Sequence, residues 1–127
     1  PARAHVSARA TLAEAPVAAA LRELGGRRVR GTIDRLIVSP GRVLAVDFKT
    51  NAVLPGRPDD VPDGLLRQMG AYAAALRQIY PEAQVETAIL WTRSATLMAL
   101  PIALTAAALA RAQEAGAHGS ASGDPAA

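Results

Sequence analysis

Leu65, Met69, Tyr72, Leu76 and Ile79 recur at alternating four- and three-residue steps, the spacing of one apolar helix face. The pattern predicts a helix that opens near Gly64 or Leu65, with Asp63 in a capping position, and closes near Tyr80 before Pro81. Upstream the period changes. Residues 28–38 and 42–50 are rich in β-branched side chains and flank Ser39-Pro40-Gly41, which reads as a β-hairpin. Further strands are expected from about Val85 to Thr92 and from Thr96 to Leu100. Pro101 then opens an alanine-rich helix to about Ala115. The stretch from Leu12 to Leu24 is ambiguous: Val17 to Leu24 holds good helix formers and reads as a short helix on propensity, while Pro16 bars a longer one. Gly25-Gly26 marks a turn and residues 55–62 a loop. From Gly116 the chain turns to Gly, Ser, Ala, Asp and Pro, a disordered tail by composition. Strands, helix, strands, helix in that order describe an α+β or mixed α/β architecture.

A chain of 127 residues is expected to form one domain, here residues 1–115, and its start at Pro1 reads as an N-terminally truncated piece of a longer polypeptide. Half of its residues are apolar but only 3% aromatic, so Leu, Val, Ile and Ala must build the core. Without cysteine there can be no disulfide framework, cysteine-ligated zinc or thiolate-held cluster. No apolar run reaches the ~18 residues of a spanning helix, so no membrane partner is expected and a reducing cytoplasm is the natural setting. The net charge of +3 suits a polyanionic partner. Asp59, Asp60 and Asp63 form a local negative patch, which places any DNA-binding face elsewhere.

Of the 14 basic residues, Lys49 alone is lysine. An ammonium is a compact point charge and a guanidinium a flat fork, so the two are not equivalent beside a metal or a water nucleophile. Lys49 follows Asp47 by two residues on a predicted strand, which turns both to one face. If the hairpin turn centres on Pro40-Gly41, Val38 faces Val43, Asp34 faces Asp47 and Thr32 faces Lys49. Opposed Cβ atoms lie about 4.5–5.5 Å apart, and two carboxylates so placed repel unless a cation lies between them. A bulged turn would shift this register by one. An Asp–Lys or Asp–Arg ion pair at the sheet end, with Arg35 as an available partner, is the alternative use of such an aspartate. Hard oxygen donors suit Mg²⁺, with Mn²⁺ as a substitute; Glu14 could supply a third carboxylate or be an ordinary exposed strand residue. Lys49 would orient or deprotonate the attacking water.

Three segments in order, Gly31-Thr32-Ile33-Asp34-Arg35, Val46-Asp47-Phe48-Lys49-Thr50 and Gln68-Met69-Gly70-Ala71-Tyr72, resemble the RecB-type branch of the PD-(D/E)XK nucleases, whose motifs read G-x-I-D-R, D-[FY]-K-T and Q-x-x-x-Y. Leu12-Ala13 before Glu14, Asn51 after Thr50, Ile79-Tyr80-Pro81 and Leu90-Trp91-Thr92 extend the likeness to the C-terminal nuclease domains of AddA-type helicase–nucleases, over about residues 12–101. The resemblance implies a restriction-endonuclease-like core, a mixed central sheet flanked by helices, with a strand at 12–24. It implies Asp34, Asp47 and the Phe48 carbonyl as metal ligands, Glu14 as the upstream acidic position and Lys49 as the catalytic lysine. Gln68 and Tyr72 would border the active site and contact DNA, and Arg30, Arg35, Arg42 and Arg93 are candidates for holding phosphates. Implied partners are DNA ends or single strands, a helicase region of the same polypeptide and an AddB-type subunit, in a bacterial cytoplasm. The sequence departs from the family where a histidine is usual on an upstream helix, a role not carried onto His5. Rival functions are a catalytically idle DNA-binding or assembly module of the same fold and a stand-alone restriction- or phage-type nuclease.

Overall fold

The computed structural model describes residues 9–119; His5 lies outside them. Five strands form one sheet in sequence order: β1 (Ala10–Leu21), β2 (Arg27–Ser39), β3 (Arg42–Lys49), β4 (Gln84–Trp91) and β5 (Thr96–Leu100). Neighbours run antiparallel except β3 and β4, a parallel pair that needs a long crossover. That crossover is residues 50–62 followed by α1 (Asp63–Ile79). The second helix, α2 (Ile102–Gly119), follows β5 and packs on α1. The result is a mixed α/β fold consistent with a restriction-endonuclease-like core. Among the described residues no helix is long and apolar enough to cross a membrane.

The ambiguous segment is a strand. Ala15, Val17, Ala19 and Leu21 are buried while the residues between them are exposed, a period of two that pairing with β2 stabilises over alanine's helix preference. Helical geometry survives only in a 3₁₀ turn at Arg22–Leu24, closed by left-handed Gly25 at φ 66°. The expected cap at Asp63 is also corrected. The helix begins at Asp63 after Pro62, with no side-chain cap, and the Asp63 carboxylate instead pairs with Arg67 and, across the helices, Arg111. The buried face of α1 runs through Leu66, Met69, Ala73 and Leu76, whereas Ile79, in the last turn of the helix, is exposed. The second helix continues to Gly119, past the end expected at Ala115. A Cβ at Gly70 would collide with the Thr105 carbonyl, so this glycine sets how closely α1 and α2 cross.

The hairpin register matches the expectation, with Val38 opposite Val43. The ladder nevertheless stops at Arg35–Val46, one step short of pairing Asp34 with Asp47. At that level β2 still pairs with β1, where Ala13–Arg35 and Ala15–Ile33 flank Glu14 and Asp34. Glu14 has φ 52°, a left-handed conformation that is strained for a side-chain-bearing residue. Across this point the buried positions of β2 change from Leu36 to Ile33, a switch of parity. Both strands therefore bend at Glu14 and Asp34, and β2 parts from β3 there.

Candidate active site

The parting of β2 and β3 creates the site. Where a ladder bond would have continued, the Phe48 backbone N–H donates to Asp34 Oδ2 at 2.8 Å. This ties the Asp34 carboxylate to the peptide between Asp47 and Lys49. Asp47 and Lys49 share a face of β3 through their two-residue spacing, and Lys49 Nζ stands 3.3 Å from Asp47 Oδ2. The Lys49 end of β3 is fixed from β4: the Thr92 N–H and hydroxyl both donate to the Lys49 carbonyl, at 2.8 and 3.1 Å.

Asp47 is 7% exposed. The ammonium is near enough to Oδ2 for an ion pair but does not lie in hydrogen-bonding direction, so this buried oxygen has no donor. Burial pushes the Asp47 carboxyl above its ordinary range, the Lys49 charge pulls it back, and the neighbouring Asp34 carboxylate raises it again; the outcome is a raised pKa. A buried acceptor without a donor, next to a second carboxylate, is the environment that a hard cation relieves. The donor set therefore fits a divalent metal. Among the described residues no three His, Cys, Asp or Glu side chains gather into a metal cage, although the register sets Glu14 level with Asp34 on the neighbouring strand. Two carboxylates that leave the remaining positions to water, backbone or phosphate oxygens suit a hard divalent cation.

The other sequence candidates divide. Gln68 Nε2 donates to the Tyr72 hydroxyl at 2.9 Å, and this hydroxyl donates to the Thr32 carbonyl at 3.3 Å, so the two α1 residues grip β2 just before Asp34. Gly31 lies beneath the ring: a Cβ there would be 2.8 Å from the Tyr72 oxygen. The glycine and tyrosine of two separate motifs are thus one contact, which sequence spacing could not show. Arg30 is exposed and, with Gln68 and Tyr72, lines a cavity of about 200 Å³. Arg35 is opposite Val46 in the ladder and so shares Val46's face, turned away from Asp47. It forms no ion pair with Asp34, so of the sheet-end ion pairs the one present among the described residues is that of Lys49 with Asp47. Arg42 is engaged with Glu86 at 2.7 Å, at the far end of β3. Arg93 is exposed in the turn after β4, at the Lys49 end of the sheet. Trp91, opposite Lys49 across the parallel pair, is 1% exposed and its indole N–H has no acceptor.

A mixed sheet with a crossover helix, whose split between two strands gathers two acids and a lysine, defines a class of α/β domains built like the restriction endonucleases. The family model of the PD-(D/E)XK nuclease superfamily matches residues 2–119, and the chain belongs to that superfamily, whose members are nucleases. No curated protein matches the chain.

Proposed function

We propose that this domain is a Mg²⁺-dependent deoxyribonuclease, with Mn²⁺ able to substitute, that acts as an exonuclease within an AddA-type helicase–nuclease of double-strand-break repair. The observation that carries the catalytic reading is the donor-less, buried Asp47 Oδ2 beside Asp34 and Lys49. Asp34, Asp47 and the Phe48 carbonyl would hold the cation, which when bound supplies a water of lowered pKa and offsets charge on the phosphate. Lys49, held against Asp47, orients the attacking water and counters the negative charge that grows on the phosphate oxygens. Gln68 and Tyr72 keep β2, and with it Asp34, at its distance from β3. The AddA assignment rests on the order of the three motifs and their flanks. With it come delivery of DNA by a helicase region of the same polypeptide, an AddB-type partner, a cytoplasmic setting, and a nuclease unit at residues 1–115.

The test is hydrolysis of linear DNA with Mg²⁺, Mn²⁺ or a chelator, by the wild type and by Asp47→Ala and Lys49→Arg. Cleavage requires the metal and falls at least ~100-fold in each variant, the scale of losing one preorganised charge-stabilising group. Cleavage that survives both substitutions removes the assignment. One observation favours a second reading, a catalytically idle DNA-binding module: among the described residues no third carboxylate joins the pair. That reading predicts DNA retention undiminished by chelator, with no products.

A further inference from the structure

We propose that the outer face of the β1–β2 hairpin is a phosphate track on which Arg28 and Arg30 hold one polynucleotide strand and lead it to Asp34; the idea rests on the nuclease reading above and specifies the substrate path of that site. The first support is the distribution of unneutralised charge. Arg42, Arg57, Arg67 and Arg111 are each held by a carboxylate, and all four lie outside the hairpin. Among the described residues Arg28 and Arg30 form no ion pair, a state they share with Arg22, Arg27, Arg35, Arg77 and Arg93, and they are two exposed cations one strand period apart. Fixed cations that the protein does not neutralise itself attract a polyanion.

Geometry supplies the second support. Val29 and Ile33 pack inward, so Arg28, Arg30 and Thr32 alternate with them on the other face of β2, which ends at the bend carrying Asp34. Alternate residues on a strand stand about 6.6 Å apart, close to the step between successive phosphates of one extended backbone. The positions facing them on β1 are Ala20, Ala18 and Pro16, too small to obstruct a ligand. Pro16, Ala18, Arg30 and Thr32 border an open groove of about 440 Å³. A straight row of this kind follows one strand; two strands wound about each other would leave it after a contact or two.

The third support is the backbone. Pro16 has no N–H, so the Pro16–Thr32 pair cannot exchange ladder bonds, and the Thr32 carbonyl indeed turns outward to Tyr72. By alternation the N–H groups of Arg30 and Arg28 face outward too. That edge of β2 is left open because the β3 ladder stops at Arg35. Backbone N–H groups beside guanidinium groups are phosphate donors. An edge crowded with positive side chains opposes the other use of an open strand, pairing with a protein partner.

Binding read without metal keeps the test independent of cleavage. Anisotropy of a labelled oligothymidylate with the whole chain in chelator should show an affinity about tenfold weaker for Arg28→Gln/Arg30→Gln. Its salt dependence should be shallower by about 1.4, or ~0.7 for each of the two phosphates no longer neutralised. Arg28→Lys/Arg30→Lys should keep the wild-type slope, and Arg77→Gln, exposed on α1, should change neither quantity. Unchanged affinity and slope in the glutamine variant overturn the track, as does an equal weakening for duplex of the same length or a shallower slope in the lysine variant. Metal-dependent cleavage by the wild type is scored separately: cleavage with unaltered binding in the glutamine variant sinks the track alone, whereas weakened binding without any cleavage sinks the nuclease reading and leaves the track.

Discussion

Tyr72 lies against Gly31 so closely that a Cβ on the glycine would approach the phenol oxygen to 2.8 Å and a ring carbon to 2.9 Å. The same oxygen reaches the next residue's carbonyl, Thr32, at 3.3 Å. The Tyr72 side chain of α1 therefore rests directly on the backbone of β2, with no β2 side chain between, three residues before Asp34. Gly31→Ala is expected to cost about 1–3 kcal/mol, the usual penalty of overpacking, and to displace the strand that carries Asp34. Tyr72→Phe removes the nearest of the two clashing atoms, so a double-mutant cycle by urea unfolding should show partial rescue of Gly31→Ala. Additive losses would mean that the two residues do not act through this contact.

Asp47 predicts a pH dependence with a definite sign. Burial outweighs the pull of Lys49 and raises its pKa above 3.8, so in the folded chain the carboxyl keeps its proton at pH values where the unfolded chain has released it. Between 3.8 and the raised value the folded state binds more protons, and stability falls as pH rises through that window. At neutral pH the metal-free protein carries the full cost. Asp47→Asn should therefore stabilise the metal-free chain by about 1 kcal/mol at neutral pH, with the advantage fading below pH 3.8. Urea unfolding of both proteins in chelator across a pH series checks this; a variant less stable at neutral pH would contradict it.

The two acids and the lysine were legible in the sequence because they depend on local rules. A two-residue spacing fixes the shared face of Asp47 and Lys49, and a short turn fixes the register that brings Asp34 near. The bend at Glu14 and Asp34 was not legible, since it needs a left-handed backbone at a residue that is not glycine and a helix clamp from 40 positions away. Alanine concealed β1: its side chain fits either period, and only Val17 and Leu21 hinted at alternation. The direction of Arg35 was hidden for a related reason. Proximity to Asp34 along the chain says nothing about face, and the ladder turns Arg35 to the side of Val46.

Glu14 can be separated into a strained residue and a candidate ligand. Left-handed φ costs a side-chain-bearing residue about 1 kcal/mol or more relative to glycine, so Glu14→Gly should stabilise the metal-free protein by about that amount, while Glu14→Gln, which keeps the strain, should not. Both variants lose the carboxylate. If Glu14 serves only the bend, both retain metal-dependent cleavage within about threefold of wild type; a parallel loss in both, at least ~100-fold as for a charge-stabilising group, would give the carboxylate a catalytic part.

Divalent metal should act on stability before any substrate is present. A ligand that binds only the folded state stabilises it by about 2.7 kcal/mol at 100 times its dissociation constant. Mg²⁺ or Mn²⁺ should raise the unfolding midpoint of the wild type accordingly, and Asp34→Ala and Asp47→Ala should each abolish the rise. Lys49→Gln should retain it or enlarge it, because the ammonium competes with the cation for the Asp47 oxygen 3.3 Å away. Trp91 supplies an independent signal: it is the only tryptophan, it is buried, and it pairs with Lys49 across the sheet, so its fluorescence should follow metal occupancy with the same midpoint. A metal effect that persists in both aspartate variants would place the cation elsewhere on the molecule and leave the donor-less oxygen of Asp47 without a purpose.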